Sequence, residues 1–327
     1  MALKTSAAPY LRQARRTGAR DWTTSLILLV PAAFSAVYYG ARPVILLAAA
    51  VLAANGCELL ACLLMRRRPT LQDGSATLTG LLIGLLMSPL CPSWLPVLAA
   101  AFAIWVVKMP FGGHGHEPFH PAAAGIAAAT VCFSGHLFTY PAPNLTQPLP
   151  LGDLSAVVTE TSPAALLAAG TAPSYTPLAW LLGQIPGPVG ATAAILLLAC
   201  MIGLFARRIT SPLVTLSYLL TCAAGALLFP RIQTDILSGL LAELCSGYLL
   251  FTGIFLLPDS ITAPRFWLGR VAYGVGGGVL TMLLRGVGQF EEGACFAVLM
   301  MNALAPGIDR VCWRLVHHLA HRKGESV

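Results

Sequence analysis

The chain has 327 residues, of which 57% are hydrophobic and only 10% charged, with a mean hydropathy of +0.75. A soluble domain carries about 25% charged residues, so these charges are too few to cover a water-facing surface, and most of the exterior must face lipid. The formal net charge of +7 comes from short basic clusters between apolar runs rather than from one patch, which excludes nucleic acid as a partner.

The first twenty residues are basic and polar, and the first apolar run flows straight into a span, with no cleavable signal peptide. A membrane helix needs about 20 mostly apolar residues. That rule predicts spans at 23–40, 43–65, 76–91, 93–108, 121–139, 188–206, 211–229, 233–257, 267–285 and 293–309. The stretches 76–108 and 233–257 can each be divided differently. The expected fold is an all-α integral membrane protein of about ten transmembrane helices.

Lysine and arginine set the orientation. With ten spans and the N-terminus inside, 17 of the 20 basic residues fall on inner segments: Lys4, Arg12, Arg15, Arg16, Arg20, Arg66, Arg67, Arg68, Lys108, Arg207, Arg208, Arg265, Arg270, Arg310, Arg314, Arg322 and Lys323. Only Arg42, Arg231 and Arg285 fall outside. This asymmetry follows the positive-inside rule and places both termini in the cytoplasm.

The expected organisation is an N-terminal segment 1–22, five helices over 23–139, an outer segment 140–187, five helices over 188–309 and a tail 310–327. The outer segment is rich in Pro, Thr and Ser and holds no Lys or Arg. Connections of that length are usually functional or disordered. The halves look alike. Asp73-Gly-Ser-Ala-Thr-Leu-Thr-Gly-Leu-Leu opens the third span, and Thr234-Asp-Ile-Leu-Ser-Gly-Leu-Leu opens the eighth. Five spans per half make the second copy inverted, an arrangement that often puts a site between the halves.

Three constellations carry candidate chemistry. Lys108 to Pro121 holds three glycines and three prolines in fourteen residues, which excludes a regular helix. Gly112 and Gly113 there permit close approach of a flat ligand or another chain. His114, His116 and His120 match no helical metal-binding spacing, so a metal site is not expected.

The second constellation is acidic. Glu58 and Glu243 lie deep in spans and are candidates for an ion path. Asp73, Asp235, Asp259 and Asp309 sit at span ends, where capping a helix or pairing with Arg is the plainer reading. Third, Arg270 stands beside a helix start, where it can hold an anionic edge. The nine cysteines form no CxxC pair and mostly lie inside apolar runs, as small core residues do. No nucleophile–base pair, P-loop or dinucleotide fingerprint is present.

At these strings the sequence resembles the D subunit of the Rnf electron-transport complex, and more distantly the B subunit of the sodium-pumping NADH:quinone reductase. The resemblance covers nearly the whole chain. It rests on Asp73-Gly-Ser-Ala, Lys108 to Pro121, Asp259-Ser-Ile-Thr262, Gly269-Arg270 with Tyr273-Gly274, and Glu292-Gly293 through Asn302 and Pro306. Glu117 and His120 stand where the family loop usually has Asn.

The resemblance implies two inverted five-helix repeats in a bacterial inner membrane. It implies a subunit of an ion-translocating ferredoxin:NAD oxidoreductase, which couples electron transfer to Na+ or H+ movement and is not active alone. It further implies other Rnf subunits as partners, and an FMN attached by a flavin transferase through a phosphoester on the outer face. A second, non-covalent flavin among the helices is also implied, with Asp73, Lys108, Gly112, Gly113 and Arg270 as candidate contacts.

The attachment motif, Asp-x-x-Ser/Thr-Gly/Ser-Ala-Thr, has one counterpart, Ala156-Val-Val-Thr-Glu-Thr-Ser-Pro163. Thr159 matches the family hydroxyl, Ser162 takes the FMN-bearing position, and Thr161 is the next acceptor. Ala156 replaces the Asp, and Glu160 and Thr161 replace two small residues. Two alternatives stand beside this reading: a small-solute channel or secondary transporter, and a flavin-free scaffold subunit of the same complex.

Overall fold

The computed structural model describes residues 10–67, 71–143, 149–150, 154, 157–232, 235–287 and 292–323, with backbone only for 10–17 and 316–323. Arg68, Ala156, Thr234 and the tail end 324–327 lie outside the described residues. The first half comprises α1 (Tyr10–Tyr39), α2 (Ala41–Leu64), α3 (Ser75–Leu86), α4 (Trp94–Phe102) with a π-helical continuation Ala103–Lys108, and α5 (Pro121–Leu137). The outer segment holds short strands β1 (Tyr140–Pro141) and β2 (Thr159–Glu160) and short helices α6 (Pro163–Ala168) and α7 (Pro177–Leu182). The second half comprises α8 (Ala194–Ala206), α9 (Pro212–Leu228), α10 (Ile236–Cys245), α11 (Leu249–Phe251) with a π-helical continuation Thr252–Leu256, α12 (Trp267–Val287) and α13 (Ala294–Lys323).

Four helical stretches are long and apolar enough to cross a bilayer alone: Gly18–Tyr39, Ala41–Leu64, Trp267–Val287 and Ala294–Leu315. The α10–α11 pair qualifies together but is bent by 65° at its break. Five shorter apolar helices complete the bundle. Leu52, Leu64, Leu220, Leu228, Val279 and Val287 point outward, an apolar exterior that suits hydrocarbon and makes this a multi-pass membrane protein.

Each apolar stretch read from the sequence is largely helical, but the span 76–91 stops being helical after Leu86 and the span 233–257 breaks at 246–248; four further differences lie at the edges. α1 begins at Tyr10, inside the segment expected to be polar, because its basic residues are good helix formers. α13 likewise runs past 309 to Lys323. The outer segment, expected to lack helix, contains α6 and α7; each starts with a hydroxyl cap followed by Pro.

The fourth difference is at 188–193, expected to be helical and instead an irregular, buried turn. Its backbone serves α3. Val189 N–H donates to Met87 O at 2.9 Å and Gly190 N–H to Leu85 O at 2.7 Å, so carbonyls left open where α3 ends find donors. A Cβ at Gly190 would come within 2.6 Å of the Leu85 side chain.

Helix ends gather at two opposite poles. At one pole Trp22 Nε1 of α1 donates to Gln72 O before α3 at 3.1 Å. Arg67 after α2 donates to Gly112 O at 3.3 Å. Arg265 N–H before α12 donates to Asp309 of α13 at 3.1 Å. At the other pole Leu149 N–H reaches Tyr39 O at 3.0 Å, and Arg42 Nε at the start of α2 reaches Pro89 O at 2.9 Å. These contacts give α1 to α5 alternating directions.

Small residues set the closest helix approaches. α9 and α12 meet through Gly274 and Gly278 against Ser217 and Thr221, and α2 meets α3 at Gly80. A Cβ at Gly80 would lie 2.6 Å from Val51 Cα and 2.9 Å from Ala50 O, both backbone atoms that cannot turn aside. Gly80→Ala should therefore destabilise the protein by about 1–3 kcal/mol through overpacking. Gly56→Ala, on α2 with nothing within 4 Å, should be neutral or stabilise by up to about 1 kcal/mol. Thermal unfolding in detergent separates the two.

Candidate functional site

The loop 109–120 is the meeting point of the pole that carries Trp22, Arg67 and Asp309. It leaves α4 through a π-turn, in which Met109 N–H donates to Ile104 O at 2.9 Å. Gly112, Gly113 and Gly115 then adopt φ of 114°, 88° and 91°, which side-chain-bearing residues rarely hold. The second half repeats this exit. Leu257 N–H donates to Thr252 O at 2.9 Å, and Pro258 follows Leu257 as Pro110 follows Met109. π-turns inside helices are uncommon and recur at functional sites.

Lys108, the last π-helical residue, is 1% exposed. Its Nζ lies 2.7 Å from Glu58 Oε2, itself on a 1% exposed side chain, and 2.6 Å from Ser75 Oγ at the start of α3. Glu58 therefore has a cation of its own.

Further along the loop, His114 Nε2 lies 3.2 Å from Asp21 and its Nδ1 lies 3.9 Å from Glu117. Burial works against the imidazolium, but the Glu117 hydrogen bond and the charges of Asp21 and Glu117 outweigh it and raise the His114 pKa. His120 is the N-cap of α5, its Nδ1 accepting from Ala123 N–H at 3.4 Å. Burial pushes the His120 pKa down, which keeps that nitrogen free to accept. The His120 N–H donates to the Asn302 amide oxygen at 2.8 Å while the Asn302 nitrogen meets the Tyr273 hydroxyl at 2.6 Å. One loop residue thus ties α5 to α12 and α13.

Between this loop, residues 261–266 and α13 lies a cavity of about 630 Å³, lined among others by Glu117, Thr262, Arg265, Phe266, Asn302 and Trp313. Of the predicted contacts, Asp73, Lys108, Gly112 and Gly113 gather around the start of α3 and the loop. Arg270 does not join them; its Nε donates to Pro264 O at 3.1 Å. Asp309 caps the Arg265 N–H. Asp235 stands at the N-cap of α10 without a side-chain cap bond. Burial raises the Asp259 carboxyl above its ordinary range despite the opposing charge of His120.

At the opposite pole β1 and β2 pair antiparallel, Tyr140 opposite Glu160 and Pro141 opposite Thr159. Thr159 and Thr161 are exposed. Ser162 is 4% exposed and is the N-cap of α6, its Oγ accepting from Ala165 N–H at 3.1 Å. Alternation along an extended chain puts Glu160 and Ser162 on one side and Thr159 and Thr161 on the other. The Glu160 carboxylate accepts from the Tyr175 hydroxyl at 2.8 Å.

Sequence reasoning missed a charged network at the break between α10 and α11. Arg231 Nε lies 2.6 Å from Glu243 Oε1 and its Nη2 bonds Glu243 Oε2. Arg285 donates to Glu243 O at 2.9 Å, Ser246 O at 2.8 Å and Glu292 Oε1 at 3.1 Å. Arg42 does the same at 87–91, reaching Pro89 O and Cys91 O. The signal was available: Arg42, Arg231 and Arg285 are the three basic residues that break the positive-inside pattern.

Removing one member of a buried ion pair strands the other charge, at about 3–5 kcal/mol. Lys108→Met and Glu58→Leu should each lower stability by that order, and the two together should recover most of the loss. A double-mutant cycle of unfolding in detergent measures it.

The chain matches the family described as NQR2, RnfD, RnfE over residues 4–316. It is 33% identical over 315 residues to the D subunit of the ion-translocating oxidoreductase complex of Stutzerimonas stutzeri, covering 88% of each chain. It is 30% identical over 328 residues to the D subunit of the Na(+)-translocating ferredoxin:NAD(+) oxidoreductase complex of Acetobacterium woodii, covering 99% of this chain and 98% of that one. It is 28% identical over 323 residues to the D subunit of the proton-translocating ferredoxin:NAD(+) oxidoreductase complex of Clostridium ljungdahlii, covering 93% of each. The chain belongs to the NQR2, RnfD, RnfE family.

Proposed function

We propose that this protein is the membrane subunit of an ion-translocating ferredoxin:NAD oxidoreductase complex, acting with the other subunits of that complex and not alone. The observation that carries the reading is end-to-end similarity to subunits of complexes so named, on a multi-pass fold whose π-turn exits and inner loop join its two halves. In this reading ten spans form two halves of opposite sense, with both termini on the cytoplasmic side of a bacterial inner membrane. Asp73 and Asp235, which open the two similar strings, support the inversion. Asp73 sits at the inner pole beside Gly18, whereas α10 packs on α6 and α7 of the outer segment.

The outer hydroxyls fit a covalent FMN. Freeing Ser162 Oγ from its cap costs about 1 kcal/mol, which a six-residue surface helix can meet by opening locally. Ser162 would hold the phosphoester and the exposed Thr161 is the neighbouring acceptor. Such a group supplies one- and two-electron redox chemistry, and the chain positions it. A second, non-covalent flavin has room in the inner cavity, where Phe266 and Trp313 offer ring faces and Arg265 and Arg310 positive charge. One geometric fact favours the flavin-free scaffold instead: Ser162 is a buried cap on the same side of the chain as the Glu160 carboxylate.

Mass spectrometry of the complex purified with its flavin transferase decides between them. We expect added mass equal to one FMN less water on the peptide containing Thr159 to Ser162. Ser162→Asp, which keeps the cap and removes the hydroxyl, should abolish it, and Thr161→Val should not. An unmodified chain in a complex that still transfers electrons from ferredoxin to NAD establishes the scaffold.

A further inference from the structure

The α10–α11 break interrupts a helix, and the open carbonyls of Glu243 and Ser246 have a charged partner there. Arg285, 3% exposed, sits on carbonyls at the end of α10, as a cation should at a helix C-terminus. Glu292, 3% exposed, lies across the break. Gly247 there has φ 61°, and a Cβ on it would fall 1.3 Å from Glu292 Oε1. The two arginines and two glutamates of this network balance in charge.

The carboxylates differ in what holds them. Glu243 has both oxygens on Arg231, and Glu58 has Lys108 and a further contact. Glu292 gives Oε1 to Arg285, while its Oε2 is buried without a hydrogen-bond donor among the described residues. Glu292 also follows directly on the outer connection between α12 and α13, so it is the network carboxylate nearest the outer approach along the chain.

We propose that Glu292 is the exchange carboxylate of the outer half, taking one monovalent positive charge at Oε2 and thereby unlocking the α10–α11 hinge. The inference rests on the ion-translocating reading above and names its outer site. Adding a cation gives the buried network, which also faces Tyr248 and Cys295, a net charge of plus one. Burying an unpaired charge is costly, so the surplus drives Arg285 off Glu292 and off the carbonyls it holds. The Gly247 break is then free to change its 65° bend. The π-turn below it runs directly into residues 257–266, which wall the inner cavity. Outer binding thus alters inner access.

Hydrogen–deuterium exchange of residues 246–256 in the assembled complex tests this. Exchange should rise by about fivefold or more when the site is loaded, because local opening sets the rate. A rise with Na+ at fixed pH identifies sodium; a rise on acidification without Na+ identifies the proton. Glu292→Gln should exchange fast under all conditions and Glu292→Asp should keep the response. A wild-type complex that responds to neither ion overturns the proposal, as does a Glu292→Gln complex that still responds. If Glu292→Gln does not assemble, the wild-type titration alone decides. Subunit co-purification and ferredoxin–NAD electron transfer, read on the same sample, report separately on the functional assignment.

Discussion

Backbone hydrogen bonding at membrane depth is the constraint on which this structure depends. Hydrocarbon offers no donors or acceptors, so a helix that stops inside the bilayer must have its open groups satisfied by protein. Among the described residues the chain interrupts a helix after α3 and after α10, and an arginine answers the open carbonyls each time. Arg42 reaches the carbonyls at 89 and 91, and Arg285 those at 243 and 246. A third provider is backbone: the turn at 188–193 lends its N–H groups to the end of α3. Guanidinium suits the task because its donors lie in a fixed fork that spans neighbouring oxygens.

That solution creates a second problem, since each buried cation needs a counter-charge. Arg285 has Glu292 at 3.1 Å and Glu243 at 3.7 Å, and Glu243 is shared with Arg231. Buried ion pairs add little net stability against apolar packing, because desolvation offsets attraction. Their value here is geometric: they tie the end of α10 to α12 and to the start of α13 across the break. Lys108 with Glu58 plays the matching part at the pole of the glycine-rich loop, fixing the π-turn exit against α2 and the start of α3.

The two poles divide the chemistry. One pole collects Asp21, His114, Glu117, His120 and Asp259 around one glycine-rich loop, and the His120–Asn302–Tyr273 chain links that loop to α12 and α13. The other presents hydroxyls on β2 and at the start of α6, one of them already engaged as a helix cap. The charged break lies between, attached to both through α12 and the second π-turn.

Much of the fold was legible because its signal is compositional. Runs of apolar residues gave the positions of the helices, and the clustering of Lys and Arg gave the alternation of their ends, since both follow from transfer energies that each residue carries with it. The glycine-rich loop could be read as non-helical because φ above zero is a property of Gly itself. The sequence could not assign roles to Arg42, Arg231 and Arg285, which looked like stray charges on the wrong side, nor mark Ser162 as a buried cap. It also offered Glu58 and Glu243 as equals, and neither could be distinguished from Glu292. Those distinctions are pairwise distances between residues far apart in the chain. A carboxylate with a guanidinium at 2.6 Å and one with an open oxygen are the same letter, and only the tertiary structure decides which is which.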